Sequence, residues 1–402
     1  MAKLDFQNLS FTEHKDSIEV RLLDNFFFSL RKEDLQNIGE FSIGENHIDF
    51  PGQDEKKVSK KFNHLIAEGM DNLNNKLNGK PAVYVHRNSG IPLIGTLHFG
   101  IVDRGTTIVE VKPLTSCNLN CIFCSVDEGL SSRKSNDFVV ESDYIIEELK
   151  SLLEFKQEKG IEIFINPHGE PLLYGDLIDL VRGIKAIEQV SSVSIATNGS
   201  LLTEELADEL AEAGLDQLNI SLNSLDEQNS KMIAGTKEFD IKSLKKVMEH
   251  VISQERIRIV LAPVWIPGVN DKDIESIISY CNEKGCGLGV QKYVRHKKGR
   301  NPDVEEMDWK GFFKELESLQ DEYGTKLLYP EGPEKTKELP KPFRTGDTIK
   351  ARIACNGRYR GEMIAAAHDR AITVYDSTKS PGETEKIRII RSRNNVYSGK
   401  AV

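Results

Sequence analysis

Thr107-Ile108-Val109-Glu110-Val111 runs closely into Thr115-Ser116-Cys117-Asn118-Leu119-Asn120-Cys121-Ile122-Phe123-Cys124. The first stretch is β-branched and reads as a strand. The second is a loop with three Cys, separated by three residues and then by two. Thiolates select soft metals, chiefly zinc or an iron–sulfur cluster. A structural zinc site takes four ligands, and no fourth Cys or His stands nearby. Three thiolates on one loop leave a coordination position open for chemistry. A half zinc site and three unrelated thiols are the competing readings of the triplet alone.

Outward from this loop, strand and helix patterns alternate from about residue 105 to 330. Strands are expected at 107–111, 161–166, 192–196, 217–222, 257–264 and 287–293. Between them, Ile145, Ile146, Leu149, Leu152 and Leu153 share one helical face, and a second helix is expected over 177–187. Thr203 caps a third that stops near Gly214. Asp240 caps one with Leu244, Val247, Met248 and Val251 on one face. Asp271 opens another with Ile274, Ile277, Ile278 and Cys281, and a last helix covers 309–323. Six strand–helix units predict a parallel sheet with helices outside, binding its ligands at the carboxyl ends of the strands.

The unusual residues fall at those ends. Pro167-His168-Gly169-Glu170-Pro171 follows the second strand, and Thr197-Asn198-Gly199 the third. Ser221 and Asn223 follow the fourth, APVWIPGVN (262–270) the fifth, and Gln291 and Tyr293 lie on the sixth. The Cys spacing, with an aromatic just before the last Cys, resembles the radical S-adenosylmethionine (SAM) superfamily. The Thr-Asn-Gly and Pro-Gly-Val-Asn segments resemble its branch that includes the molybdopterin-precursor enzyme MoaA. His168 departs mildly from the family's Gly-Gly-Glu-Pro.

The resemblance implies an α/β fold, a partial (β/α)6 barrel of TIM type, and a [4Fe–4S] cluster held by Cys117, Cys121 and Cys124. Its fourth iron binds the amino and carboxylate groups of SAM, and an external one-electron reductant of the ferredoxin or flavodoxin type starts the release of a 5′-deoxyadenosyl radical. Gly169 and Glu170 would meet the ammonium, a charge-assisted contact. Thr197, Asn198, Ser221, Asn223 and Gln291 supply polar contacts. Phe123 and the loop Gly268, Val269, Asn270 would border the adenine.

Of the remaining Cys, Cys281 reads as a core thiol, and Cys286 follows the helix stop Gly285. Cys355 lies far along the tail. No Cys precedes Cys117, unlike the methylthiotransferases, and the C-terminal Cys triplet of MoaA has no counterpart. Cys286 and Tyr293 are candidates for later steps by location only.

Residues 329–342 are rich in Pro and charge and read as a linker. Residues 343–402 carry alternating patterns at 346–353, 357–361, 370–374 and 385–390, and resemble the TRAM domain, a small OB-like β-barrel. Residues 341–402 carry 13 Lys and Arg against 6 Asp and Glu, whereas the rest carries 40 against 57. A basic tail with Arg358, Tyr359 and Arg360 suits RNA phosphates and bases. Residues 1–100 form a mixed α/β region with a polar helix over about 57–77, and 101–328 the radical SAM core. The segment 90–105 beside this motif and tail resembles archaeal radical SAM proteins.

The expected activity is RNA modification, of tRNA or rRNA. Action on a peptide or small metabolite, and an iron–sulfur electron-transfer role without catalysis, are the alternatives. Net charge is −10, no apolar run approaches membrane length, and the first residues lack a signal-peptide pattern, so a reducing cytoplasm is expected.

Overall fold

Six strands lie parallel and in chain order across one sheet: Ile108–Lys112, Ile161–Ile165, Val190–Thr197, Gln217–Ile220, Arg258–Leu261 and Gly287–Leu288. Gly100–Asp103 adds an antiparallel outer strand against Ile108–Lys112. The sheet is open at both sides. These features come from a computed structural model, which describes residues 2–329 and 332–402. Pro330 and Glu331, within the expected linker, lie outside the described residues, as does Met1.

Register fixes where the chemistry can sit. Val111 stands opposite Ile165, Ile165 opposite Ile195, Thr197 opposite Ile220, and Leu261 opposite Ile220 and Leu288. The Cys loop, Pro167–Glu170, Asn198 and Ser221 therefore all leave the sheet along one edge. Ile161, Ile163 and Ile165 are buried, and Glu162 between them is exposed, the two-residue period of a strand. Helices Ser142–Lys156, Leu177–Lys185, Glu204–Ala213, Ile241–Gln254 and Asp271–Lys284 bury the faces expected of them. Thr203 and Asp240 accept from backbone N–H groups as N-caps. Gly214 and Gly285 end their helices in the left-handed conformation.

Four elements here depart from expectation. The fifth and sixth strands are each broken: Val264–Trp265 and Gln291–Lys292 form a separate parallel pair. Pro263, with no N–H to donate, sits at the first break. A short helix, Glu227–Ala234, capped by Asp226, follows the fourth strand. The N-terminal helix spans Glu55–Met70 and not 57–77. Its successors, Asn72, Asn74 and Asn75, use side chains for local bonds or leave for another sheet.

Around that helix, Ala2–Asp5, Ser42–Ile43 and His47–Phe50 form one sheet, and Leu9–Glu13, Ser17–Leu22, Phe26–Arg31 and Asn74–Asn75 another. Phe6, Phe11, Phe50 and Phe62 pack together between them. Ala82–Val85 pairs in parallel with Asp137–Val140.

The C-terminal strands Thr348–Asn356, Glu362–Ala367, Arg370–Tyr375, Tyr397–Ala401 and Thr384–Arg391 close, in that spatial order, into a five-stranded barrel. Phe343, Ile353, Ile372, Val374, Ile387 and Tyr397 fill it. Residues 357–361, expected as a strand, are instead the turn between its first two strands. The barrel docks on the core through Ile94 and Gly95, whose carbonyls accept from Ala371 N and Tyr397 N at 2.8 Å. No helix among the described residues is long and apolar enough to cross a membrane.

Candidate active site

A cavity of about 340 Å³ opens at the carboxyl edge of the sheet. Its wall includes Cys117, Cys121, Cys124, Phe123, Gly169, Glu170, Thr197, Asn198, Ser221, Asn223 and Gln291. Residues from five separate segments are thus brought together by the parallel register.

All three thiols are free and half-buried. Burial pushes the Cys121 thiol up to about 12, with the neighbouring Cys124 adding to it and Arg300 opposing. Burial also raises Cys117 well above its ordinary value. Such thiols stay protonated until a metal displaces the proton. Among the described residues, no three His, Cys, Asp or Glu side chains converge on a single metal ion. A cubane does not ask for that convergence, because each thiolate binds a different iron. The donor set fits a cluster.

Glu170 is buried at the cavity wall. Its Oε1 accepts from Thr197 Oγ1 at 2.6 Å and Leu172 N at 3.1 Å, and Oε2 accepts from Asn198 N at 2.8 Å. Burial nonetheless lifts its carboxyl to about 7, these bonds opposing the rise. An arriving ammonium would restore the charged form. Asn198 Nδ2 donates to Asn118 Oδ1 at 3.1 Å, so the Cys loop and the Thr197–Gly199 turn are bonded to each other. Asn223 Oδ1 accepts from Val264 N at 2.8 Å, which pins the broken fifth strand to the fourth.

Gly268, Val269 and Asn270 are not brought to the cavity. Asn270 is buried and spends its amide internally: Oδ1 accepts from Ile266 N, and Nδ2 donates to the carbonyls of Asn223 and Val264. Gly268 has φ of 76° and gives its N–H to Asp271. Val269 packs against the buried cluster of Ile233, Ile266 and Tyr293, on which Ile122 and Phe123 also lie. The Pro-Gly-Val-Asn turn shapes the loop behind the wall and does not form the wall.

Sequence reasoning missed Glu128, Asn166, Ser224, Ser230 and His296, which also line the cavity. Glu128 stands four residues after Cys124, and its N–H donates to Cys124 Sγ at 3.2 Å. Burial raises its carboxyl to about 7, against the pull of Arg358 and Lys134. Arg300 also escaped notice: its Nε donates to Cys121 O, and its backbone N–H donates to Cys124 O. Only its place at the end of a basic run hinted at either contact.

Arg358 is a correction. Expected on the tail's surface for phosphate contact, it is 1 % exposed and inserted into the core. Its Nη2 donates to Val126 O at 2.5 Å and lies 2.7 Å from Glu128 Oε1, and Nη1 lies 3.1 Å from His168 Nδ1. Burial holds His168 well below its ordinary value, so it is neutral. Tyr359 is half-buried against the same loop, its hydroxyl donating to Val126 O. Cys281 and Cys355 are buried thiols and Cys286 is half-buried.

A family model, the radical SAM superfamily, matches residues 111–281. An uncharacterized protein of Methanocaldococcus jannaschii, MJ0103, is 35 % identical over 363 residues, covering 83 % of each chain. A GTP 3′,8-cyclase of Listeria monocytogenes is 31 % identical over 189 residues, covering 46 % of this chain and 54 % of its own length. The chain thus spans about half the length of that cyclase. Among solved structures, a spore photoproduct lyase with bound SAM aligns at a TM-score of 0.44 and 15 % identity, over 60 % of this chain and 78 % of that one. Sequence and relatives lead to one assignment: the chain belongs to the radical SAM superfamily, enzymes that use a [4Fe–4S] cluster and SAM, with MoaA-like relatives.

Proposed function

We propose that Cys117, Cys121 and Cys124 hold the cluster and that the cavity beside them holds SAM. Bound together, the two supply a 5′-deoxyadenosyl radical, with the electron coming from an external one-electron donor. Glu170 takes the ammonium. Thr197 and the Asn198 N–H keep its carboxylate oriented toward the cavity. Gly169 gives close backbone approach, since a Cβ there would meet Ser116 O at 2.1 Å. Ser221, Asn223 and Gln291 offer polar contacts, and Phe123 an apolar wall.

The substrate we propose is an RNA, delivered by residues 343–402 as a TRAM-like, OB-like barrel. One observation carries this reading. On the outer face of the barrel, Lys350 stands directly opposite Lys386, and Arg388 directly opposite Lys400. All four are exposed. Like charges directly opposed across strands destabilise a sheet; Asp376, 3.2 Å from Lys400, offsets one of the four, and a polyanion laid over the others would remove the remaining cost. Binding of the reconstituted full chain to tRNA and rRNA fragments between 50 and 200 mM salt tests this. Neutralising one contacted cation should reduce the log–log salt slope by about 0.7 to 0.9. No binding at low salt would sink the RNA reading. Nucleoside mass spectrometry of RNA from a deletion strain would then identify the modification.

A nucleotide-sized metabolite is a second reading, favoured by the cyclase relatives over the core. It also draws on a shallow hollow of about 450 Å³ lined by Arg133, Lys297, Lys298 and Arg360 beside Tyr359 and Tyr375. SAM cleavage stimulated by nucleoside triphosphates and not by RNA would select it.

A further inference from the structure

The turn Gly357–Gly361 of the C-terminal barrel reaches into the core and grips the chain just after the Cys loop. The Arg358 carbonyl accepts from Ser135 N at 2.9 Å, and its side chain holds Val126 O, Glu128 and His168. Val126 and Glu128 line the cavity, and His168 immediately precedes Gly169 and Glu170. One guanidinium therefore spans the two loops that face cluster and SAM. Its Nε has no hydrogen-bond partner, and Glu128 Oε1 makes a close ion pair with it without an aligned hydrogen bond. Beneath Glu128, Lys134 is fully buried, bound to Glu128, to Asp137 at 2.5 Å and to Thr115 O at 2.5 Å. Asp137 in turn accepts from Asn75 and from Thr115 Oγ1. The chain is continuous: barrel turn, Glu128, Cys124 Sγ.

A buried guanidinium is an expensive group to place. The tail carries many other cations that remain in water, so an RNA-binding role alone does not account for burying this one. Arg is suited to the position because its planar fork reaches several acceptors at once and stays charged. We propose that Arg358 is a positioning residue of the radical SAM core. The C-terminal barrel uses it to fix the Val126–Glu128 segment, to direct the Glu128 N–H onto Cys124, and to place a fixed positive charge near the cluster. On this view the barrel completes the site, whatever substrate it also brings.

The proposal rests on the assignment of the three thiols to the cluster and is independent of the RNA reading. The test is the midpoint potential of the reconstituted cluster in the full chain, measured together with iron content. Adding an electron is harder once a nearby cation is removed, so Arg358→Gln should lower the potential. The expected effect is about tenfold in the one-electron equilibrium, about 59 mV. Arg358→Lys should recover much of it. Glu128 could take up a proton when its cation is lost, so Arg358→Gln is repeated on Glu128→Gln, where no such compensation exists. Glu128→Gln alone should raise the potential, and it serves as the test if Arg358→Gln does not fold. A potential unmoved in all of these, with iron content intact, overturns the proposal. A wild-type chain that takes up no cluster refutes the underlying assignment instead.

Discussion

The Thr197 hydroxyl donates a 2.6 Å hydrogen bond to Glu170 Oε1, joining the ends of two adjacent parallel strands at the cavity wall. The bond holds a buried carboxylate in one orientation before any ligand arrives. Glu170→Gln should weaken SAM binding by about 10- to 100-fold, the range of about 1.5 to 3 kcal/mol for a hydrogen bond to a charged group. Thr197→Val should cost about tenfold while the fold is kept. Equilibrium dialysis of SAM against the reconstituted enzyme measures both, and wild-type affinity in Glu170→Gln would remove Glu170 from the ammonium site.

Replacing Cys117, Cys121 or Cys124 singly by Ala should abolish iron uptake and the visible absorbance of the cluster. Cys281 and Cys355 are packed in apolar surroundings. Cys281→Ala and Cys355→Ala should retain full iron and lose about 1 kcal/mol of stability. Iron loss in either of the latter would point to a second cluster.

Gly95 lies where the barrel touches the core. Its φ is 134°, and a Cβ there would meet Ala371 O at 2.0 Å. Gly95→Ala should lower stability by more than about 1 kcal/mol and speed proteolysis between the core and the barrel. Gly160→Ala, at a positive φ with open space around it, should show the strain without the faster cleavage. Equal cleavage of the two variants would mean that the docking does not depend on this approach.

His98 is half-buried beside Phe138 and His168, and desolvation lowers it to about 3, with Arg358, Lys298 and Lys112 adding to the effect. Between about pH 3 and the ordinary histidine value near 6.5, the unfolded chain binds the proton and the folded one does not. Stability should therefore rise with pH across that window, by at most about 1.4 kcal/mol per pH unit for this group. His98→Phe should flatten the slope, read from urea midpoints at pH 5 and 7. An unchanged slope would mean that His98 is accessible to protons in the native state.

The sequence made the core legible because its signals are local. A Thr three residues before a helical face, a Gly after one, and alternating Ile in 161–165 each carry their own structural instruction. Cys117–Cys124, Glu170 and Asn198 could be assembled from sequence because parallel strands deliver their carboxyl ends to one edge. Contacts between distant segments were not legible. Arg358 meets Val126 and His168 across 232 and 190 residues, and in the sequence it looks like any other arginine of a basic turn. Asn270 misled for the opposite reason: its motif is real, but its amide is consumed by the backbone it folds. The breaks near Pro263 and Gly289 separated residues that hydrophobicity alone reads as continuous strands.

The outer strands Gly287–Leu288 and Gly100–Asp103 are not hydrogen-bonded to each other, so no seam fixes the circumference of the core. What connects the two sides is covalent. After the helix Trp309–Tyr323, the chain returns to the first side, where Thr107 N donates to Glu334 O and Thr336 N to Gly105 O. A core left open in this way can widen on one side without sliding any pair of its hydrogen-bonded strands out of register.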